Sequence, residues 1–302
     1  MILSVDNPRH RVGLIGADIG PSLSPALHER EAQHLGLSYV YERLDITALG
    51  LAPDAVGGLL RVTQRLGFSG VNITHPCKQE VVGELTRLST DAAALGAVNT
   101  VVFDHRGAVG HNTDCQGFQE SFVRGLPDVL TRRVVLLGAG GAGSAVGHGL
   151  LSLGAEELRV CDSDPDRAQT LVASLRKRFG PTRAAVADPG SLGDDLRHAD
   201  GLINATPAGM RADPAPALAP DLLHEGLWVA EVVYRPLETQ LLTHARRVGC
   251  RTLDGGGMAV FQAALSFELF TGVRPDRARM LRHFATLAED DTAALATDPE
   301  RR

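Results

Sequence analysis

Lys78 is a lone cation two residues beyond the proline that ends an apolar strand. The stretch is GVNITHPCKQE, residues 70–80, in which Val71 and Ile73 alternate with Asn72 and Thr74 before Pro76. Alternation with period two reads as a strand, and proline has no N–H for the ladder, so the strand must stop there. Open α/β sheets bind ligands beyond the carboxyl ends of their strands, which is where these polar side chains stand. Three further segments, IGPSLSP, AVNT and GHNTD, read as ending in the same way. Together the four deliver Ser22, Ser24, Asn72, Thr74, Lys78, Asn99 and Asp114, a set of hydrogen-bonding groups with one opposed charge pair. Such a set suits a polyhydroxylated, anionic molecule. A lysine can give or take the proton of an alcohol; a carboxylate beside it favours the ammonium, and desolvation opposes it. Each residue also has a plainer use: serine caps helices, Asn and Thr serve turns, Lys78 suits a solvated first turn and Asp114 an N-cap.

A second constellation starts at Arg132, where RRVVLLGAGGAGSAVGHGLLSLGAEELRVCDSD runs strand, glycine turn, helix, strand. Gly138, Gly140 and Gly143 form G-x-G-x-x-G, with Ala139, Gly141 and Ala142 between them. Those glycines give a tight turn, close approach of backbone to a pyrophosphate, and close helix–strand packing, with the phosphate facing a helix amino terminus. Asp162 ends the next strand about twenty residues on, where a carboxylate accepts from both hydroxyls of an adenosine ribose. It would repel a 2'-phosphate, which favours NAD over NADP, although Arg167 lies one turn further along the chain. The plainer alternative makes the glycines a bare turn and Asp162 the N-cap of the helix after Pro165.

Apolar runs alternating with helical periodicity must position these groups, the mark of α/β units with mostly parallel sheets. Strands are expected at 12–17, 39–46, 70–74, 97–103, 201–206 and 228–234, besides the pair around the glycine turn. Helices are expected from Ser24, as N-cap, to Gly36, over 54–66 and 80–88, at Gly117, from Glu238, and over 258–271 and 275–287. Gln262 sits in the apolar run AVFQAALSFELF, where an amide needs a substrate or backbone partner. The tail after Glu289 is the one segment whose composition suggests disorder.

A chain of 302 residues exceeds a single ordinary core, so two domains are expected. The net charge of −6 and 4% aromatic content exclude a nucleic-acid surface, and no apolar run is long enough to span a bilayer. With no apolar leader visible in MILSVDNPRHRVG, a cytoplasmic location is expected. Cys77, Cys115, Cys161 and Cys250 are scattered without metal-ligand spacing, so reduced, unligated thiols and no metal are expected. His75 and His111 read as turn residues.

Over nearly its whole length the sequence resembles the shikimate dehydrogenases. The resemblance rests on SLSPALHE (22–29), NITHPCKQ, GAVNT, GHNTD, GAGGAG, NATPAGM (204–210), VVYRPLETQLL (232–242) and GMAVFQA (257–263). It is most similar to the bacterial NAD-dependent quinate/shikimate dehydrogenases, because CDSD carries an acid where NADP-dependent members show N-R-T. The resemblance implies that Lys78 and Asp114 form the catalytic pair and that Ser22 and Ser24 hold the substrate carboxylate, with Tyr234 near it. It further implies that Asn72, Thr74, Asn99 and Gln262 bind ring hydroxyls, and that Thr206, Val232 and Gly255 lie with the cofactor. Cys77 replaces an aromatic residue, Ala208 a larger apolar one and Glu231 an aspartate; none is a catalytic group. Ser24 is threonine in some quinate-using relatives, so serine tilts the reading towards shikimate.

The expected architecture is thus two α/β domains with a cleft between them. Residues 1–114 with 258–302 form the substrate-binding domain, and 115–257 the NAD-binding Rossmann domain. The implied reaction is reversible NAD-dependent oxidation of shikimate to 3-dehydroshikimate, with quinate to 3-dehydroquinate left open. Small-molecule substrates are the expected partners, and a homodimer is compatible with the resemblance. Two alternatives stand beside it: a dehydrogenase for an aminoshikimate-type acid, and a cofactor-binding regulator without turnover.

Overall fold

A computed structural model describes residues 9–211 and 213–297. The chain divides into two compact units: residues to Thr113 with Ala263–Phe284, and Asp114–Gln262 with residues from Ala285.

The first unit holds six strands: β1 (Arg9–Gly16), β2 (Ser38–Asp45), β3 (Gly70–Ile73), β4 (Arg87–Leu88), β5 (Thr100–Asp104) and β6 (Gly107–His111). Their order is β2-β1-β3-β5-β6-β4. β1, β2 and β3 are parallel, and their carboxyl ends lie level, Gly16 opposite Asp45 and Ile15 opposite Ile73. The sheet is mostly parallel, as expected, with β5 alone reversed, antiparallel to both β3 and β6. The two residues between β5 and β6 suffice for a hairpin, whereas a parallel crossover needs a dozen or more. The strand expected at 97–103 is therefore β5, beginning at Thr100. Its amino end, not its carboxyl end, lies at the end of β3, with Asn72 opposite Thr100. The core under this sheet is Ile15, Val71, Ile73, Cys77, Val98 and Val101, all at most 2% exposed.

Other boundaries also differ. The first helix is Ser24–His34 with Leu23 at the N-cap, so Ser24 opens the helix instead of capping it. Proline in the first turn lacks only an N–H that has no helical partner. The helix expected over 80–88 is replaced by short turns, Cys77–Glu80 and Val81–Glu84, then β4 and a helix Thr90–Leu95. That last helix is capped by Ser89, whose Oγ accepts from Ala92 N at 3.2 Å.

The second unit carries β7 (Arg133–Leu137), β8 (Glu157–Cys161), β9 (Ala184–Val186), β10 (Gly201–Asn204), β11 (Trp228–Glu231) and β12 (Arg251–Leu253). All are parallel, in the order β12-β11-β10-β7-β8-β9. Relabelled within the unit this is 3-2-1-4-5-6, two βαβαβ halves meeting where β7 adjoins β10. Val134 and Leu136 pack on one face with Leu158 and Ile203, while Val135 and Leu137 pack on the other with Leu202 and Val229. A parallel sheet is covered on both faces, which explains why RVVLL reads as a continuous apolar run. β11 ends at Glu231, three residues before the expected limit, and the last helix runs Arg277–Thr297, well past Glu289. All four cysteines are buried thiols, no described helix is long and apolar enough to cross a membrane, and no group of ligands among the described residues could hold a metal.

Candidate active site

In the first unit the loop after β1 is pinned by an acid on the neighbouring strand. Asp45, last in β2, accepts from Asp18 N at 3.1 Å and Ile19 N at 2.9 Å. Partial burial pushes its carboxyl up, but these amides with those of Thr47 and Ala48 pull it net below the ordinary range. The loop then delivers Ser22, whose Oγ accepts from Ser24 N at 3.3 Å at the mouth of the helix. Gly16 makes room for β3: a Cβ there would lie 2.3 Å from Thr74 Cγ2 and 2.9 Å from the His75 carbonyl. Thr74 N donates to Ile15 O and Ala17 N to His75 O, so the ITHP segment is tied to β1. His75 is exposed, as expected of a turn residue.

The antiparallel β5 brings Asn99 beside Asn72. Asn72 Nδ2 donates to Asn99 O at 3.2 Å and Thr100 Oγ1 at 3.0 Å, and its Oδ1 accepts from Tyr41 OH at 2.7 Å. Asn99 Oδ1 in turn accepts from Thr113 N at 2.8 Å, and its Nδ2 donates to Thr113 Oγ1 at 2.8 Å. Asn72, Asn99, Thr100 and Thr113 are all buried. Buried amides demand such partners, and the network fixes their orientation. Lys78 is half-buried, and its carbonyl accepts from Val98 N at 2.8 Å, one residue before Asn99. Ser22, Ser24, Asn72, Thr74, Lys78 and Asn99 therefore all lie in the first unit, at one end of its sheet.

The second unit contains the glycine turn and Asp114, Tyr234 and Gln262. Gly138 has φ +94°, where side chains are strained, and a Cβ on it would meet the Ala205 backbone at 2.8 Å. A Cβ on Gly143 would lie 2.0 Å from Gly138 O, so helix and strand touch there. Gly140 differs: a Cβ there meets nothing within 4 Å, although its backbone (φ −73°, ψ −166°) would accept one. It is the N-cap of the helix Gly141–Ser152, whose first N–H groups have no partner within the helix and no side-chain cap at that position. Room kept empty beside a helix amino terminus is what an approaching pyrophosphate requires, and the residues fit a bound dinucleotide.

Asp162 does not cap the next helix. Asp164 does, accepting from Asp166 N at 3.0 Å and Arg167 N at 3.3 Å. Asp162 instead turns to the glycine loop: Oδ2 accepts from Ala139 N at 2.6 Å, and Oδ1 from Asp164 N at 2.9 Å. Arg167 Nε lies 3.3 Å from Asp164 Oδ2. Burial pushes the Cys161 thiol up, helped by the charges of Asp162, Asp188 and Asp195.

Across the sheet, Thr206 N and Oγ1 donate to Asn204 Oδ1 at 3.0 and 2.7 Å. Asn204 Nδ2 donates to Glu231 Oε1 at 2.9 Å, as do Val232 N and Val233 N at 3.1 and 3.2 Å, while Thr239 Oγ1 donates to Oε2 at 3.2 Å. Glu231 is buried, and that burial raises its carboxyl to about 7 despite the four donors. It fastens the ends of β10 and β11 and the loop carrying Val232 and Tyr234. Gly255 packs against that loop, since a Cβ on it would lie 2.4 Å from Val232 O. Burial raises the Tyr234 phenol, Arg235 opposes, and the Asp114 charge adds to the rise. Asp114 sits inside the first turn of the helix Thr113–Gly125, not at its cap. Gln262 finds a backbone partner, Nε2 donating to Ala259 O at 3.0 Å, and a Cβ on Gly117 would lie 2.7 Å from Gln262 N.

Two family models match the chain: the shikimate dehydrogenase substrate binding domain over residues 14–101, and the shikimate 5'-dehydrogenase C-terminal domain over 255–283. A shikimate dehydrogenase (NADP(+)) of Streptomyces avermitilis is 61% identical over 284 residues, covering 94% of this chain and 97% of that one. The chain belongs to the shikimate dehydrogenase family. As a family member it is an NAD(P)-dependent oxidoreductase. A quinate/shikimate dehydrogenase (NAD(+)) of Corynebacterium efficiens is 45% identical over 277 residues, 91% of this chain and 98% of that one. The structure of a quinate dehydrogenase from Corynebacterium glutamicum in complex with NAD has a TM-score of 0.87 at 43% identity, covering 92% of this chain and 99% of that one.

In this family member, sequence reasoning had passed over Tyr41, Asp45, Thr100 and Thr113. Asp45 carried a signal, an acid ending a strand beside a loop that lacks regular structure. Tyr41 carried none, since an aromatic residue in a strand reads as core.

Proposed function

We propose that the chain catalyses reversible NAD-linked interconversion of shikimate and 3-dehydroshikimate, with quinate and 3-dehydroquinate as a second, weaker pair. In this reading residues 1–114 with 258–302 bind the acid and 115–257 bind the dinucleotide. Ser22 and Ser24 hold the carboxylate with Tyr234 near it, and Asn72, Thr74, Asn99 and Gln262 bind ring hydroxyls. Lys78 Nζ takes the proton of the hydroxyl being oxidised and returns it in the reverse direction, while Asp114 favours the ammonium. NAD, when bound, supplies the hydride acceptor. The loop Gly138 to Gly143 with Thr206, Val232 and Gly255 cradles it.

The observation that carries the choice of NAD is Asp162, held at the glycine loop by Ala139 N and free of any capping duty. A ribose with both hydroxyls can donate to it; a 2'-phosphate would meet its charge and that of Asp164. Arg167, the cation near enough to compensate, is ion-paired with Asp164. The relatives carry both NAD(+) and NADP(+) names, and the carboxylate of Asp162 at the glycine loop supports NAD. The test of the chemistry is Lys78→Ala. Initial rates with shikimate should fall at least 100-fold while NAD affinity stays near normal; retained turnover would sink the Lys78 assignment.

A further inference from the structure

We infer that Tyr41 is a positioning residue that makes Asn72 a hydrogen-bond acceptor for a substrate hydroxyl. The inference rests on the proposed role of Asn72 in binding the acid. A side-chain amide has two N–H donors and two lone pairs. On Asn72 both donors are used, by the Asn99 carbonyl and Thr100 Oγ1, and Tyr41 OH occupies one lone pair. One lone pair on Oδ1 remains. The amide cannot turn over, because that would set its oxygen against the Asn99 carbonyl and cost the Tyr41 hydroxyl its Oδ1 acceptor. Thr100 Oγ1 donates to Asn99 Oδ1 at 3.0 Å, so it too must accept from Asn72.

Tyr41 is itself held at both ends. Its N donates to Glu29 Oε1 at 2.9 Å, and its ring meets His28 edge-on, with centroids 5.0 Å apart at 66°. Burial keeps His28 neutral, its value lowered to about 3, so no charge disturbs the phenol from that side. Tyr41 is 6% exposed. The buried ring is packed in place, and its hydroxyl props Asn72 from behind. The chemical consequence is a rule for the ligand: the ring oxygen that meets Asn72 must carry a hydrogen. A hydroxyl satisfies it, and a keto or ether oxygen there does not.

The test compares Tyr41→Phe, Asn72→Ala and the double variant in steady-state assays with shikimate and NAD. Tyr41→Phe removes the prop while keeping the ring. KM for shikimate should rise about three- to tenfold, the worth of one hydrogen bond, with kcat within about twofold and KM for NAD unchanged. The double variant should match Asn72→Ala alone. Tyr41→Leu should show the same split should the phenylalanine variant fold poorly. If Asn72→Ala raises KM but Tyr41→Phe is indistinguishable from the parent, or the two effects add, the prop is overturned. If Asn72→Ala itself leaves KM unchanged, the reading of Asn72 as a substrate residue falls, and this inference with it.

Discussion

Replacing the two glycines that differ most in their surroundings should separate cofactor binding from folding. At Gly140 the backbone is extended and the space around a Cβ is empty to 4 Å. Alanine should therefore fold without strain, and removing the freedom of glycine from the unfolded chain should raise stability by about 0.4–1 kcal/mol. The same methyl would stand where the pyrophosphate approaches. Losing one or two charge-assisted hydrogen bonds at about 1.5–3 kcal/mol each weakens the cofactor roughly 10- to 100-fold or more. Gly143 makes the opposite case, since its Cβ would lie 2.0 Å from Gly138 O and must displace backbone by about 1 Å. Overpacking of that kind costs about 1–3 kcal/mol. Thermal unfolding and NADH fluorescence titration of both variants supply the assay. Gly140→Ala should keep or raise the midpoint and lose NADH affinity; Gly143→Ala should lower the midpoint by several degrees. Parental NADH affinity in Gly140→Ala would refute the cradle.

Asp162→Ala should lose about tenfold in NAD affinity and narrow its preference over NADP, since both the ribose acceptor and the Ala139 contact go; initial rates with each dinucleotide check this, and an unchanged ratio would count against it. Glu231 makes stability depend on pH: its carboxyl is raised from 4.5 to about 7, so the folded state holds a proton that the unfolded state has released. Its stabilising effect is complete below about pH 4.5 and is lost as pH rises through about 7, by up to about 3 kcal/mol at 1.36 per unit. Urea unfolding at pH 5, 6.5 and 8 should show Glu231→Gln gaining on the parent as pH rises. A constant difference would contradict the buried proton.

Most of the second unit was legible because its signals are local. A β-branched run, a glycine turn, a helix and an acid lie within one βαβ unit, and Gly138 and Gly143 answer to close contacts with backbone. The first unit was harder to read. AVNT reads as a strand end, yet Thr100 begins β5, because nothing in the tetrapeptide states the direction of its neighbours. The two-residue turn to Gly107 carries that information, since it sets β5 and β6 antiparallel. Ser24 reads as a cap by residue type, whereas Leu23 occupies that position, since a cap depends on where the helix starts. Glu231 was noted only as a departure in sequence; its four donors come from residues as far away in the chain as Asn204 and Thr239.

The central claim, a shikimate dehydrogenase whose acidic ribose end selects NAD, meets its most direct test in one matrix of initial rates. Shikimate and quinate are each assayed with NAD and with NADP at matched concentrations. The account predicts the highest kcat/KM for shikimate with NAD, a lower value for quinate with NAD, and at least tenfold weaker use of NADP with either acid. NADP used as well as NAD, or no reduction of either dinucleotide with both acids, would contradict it.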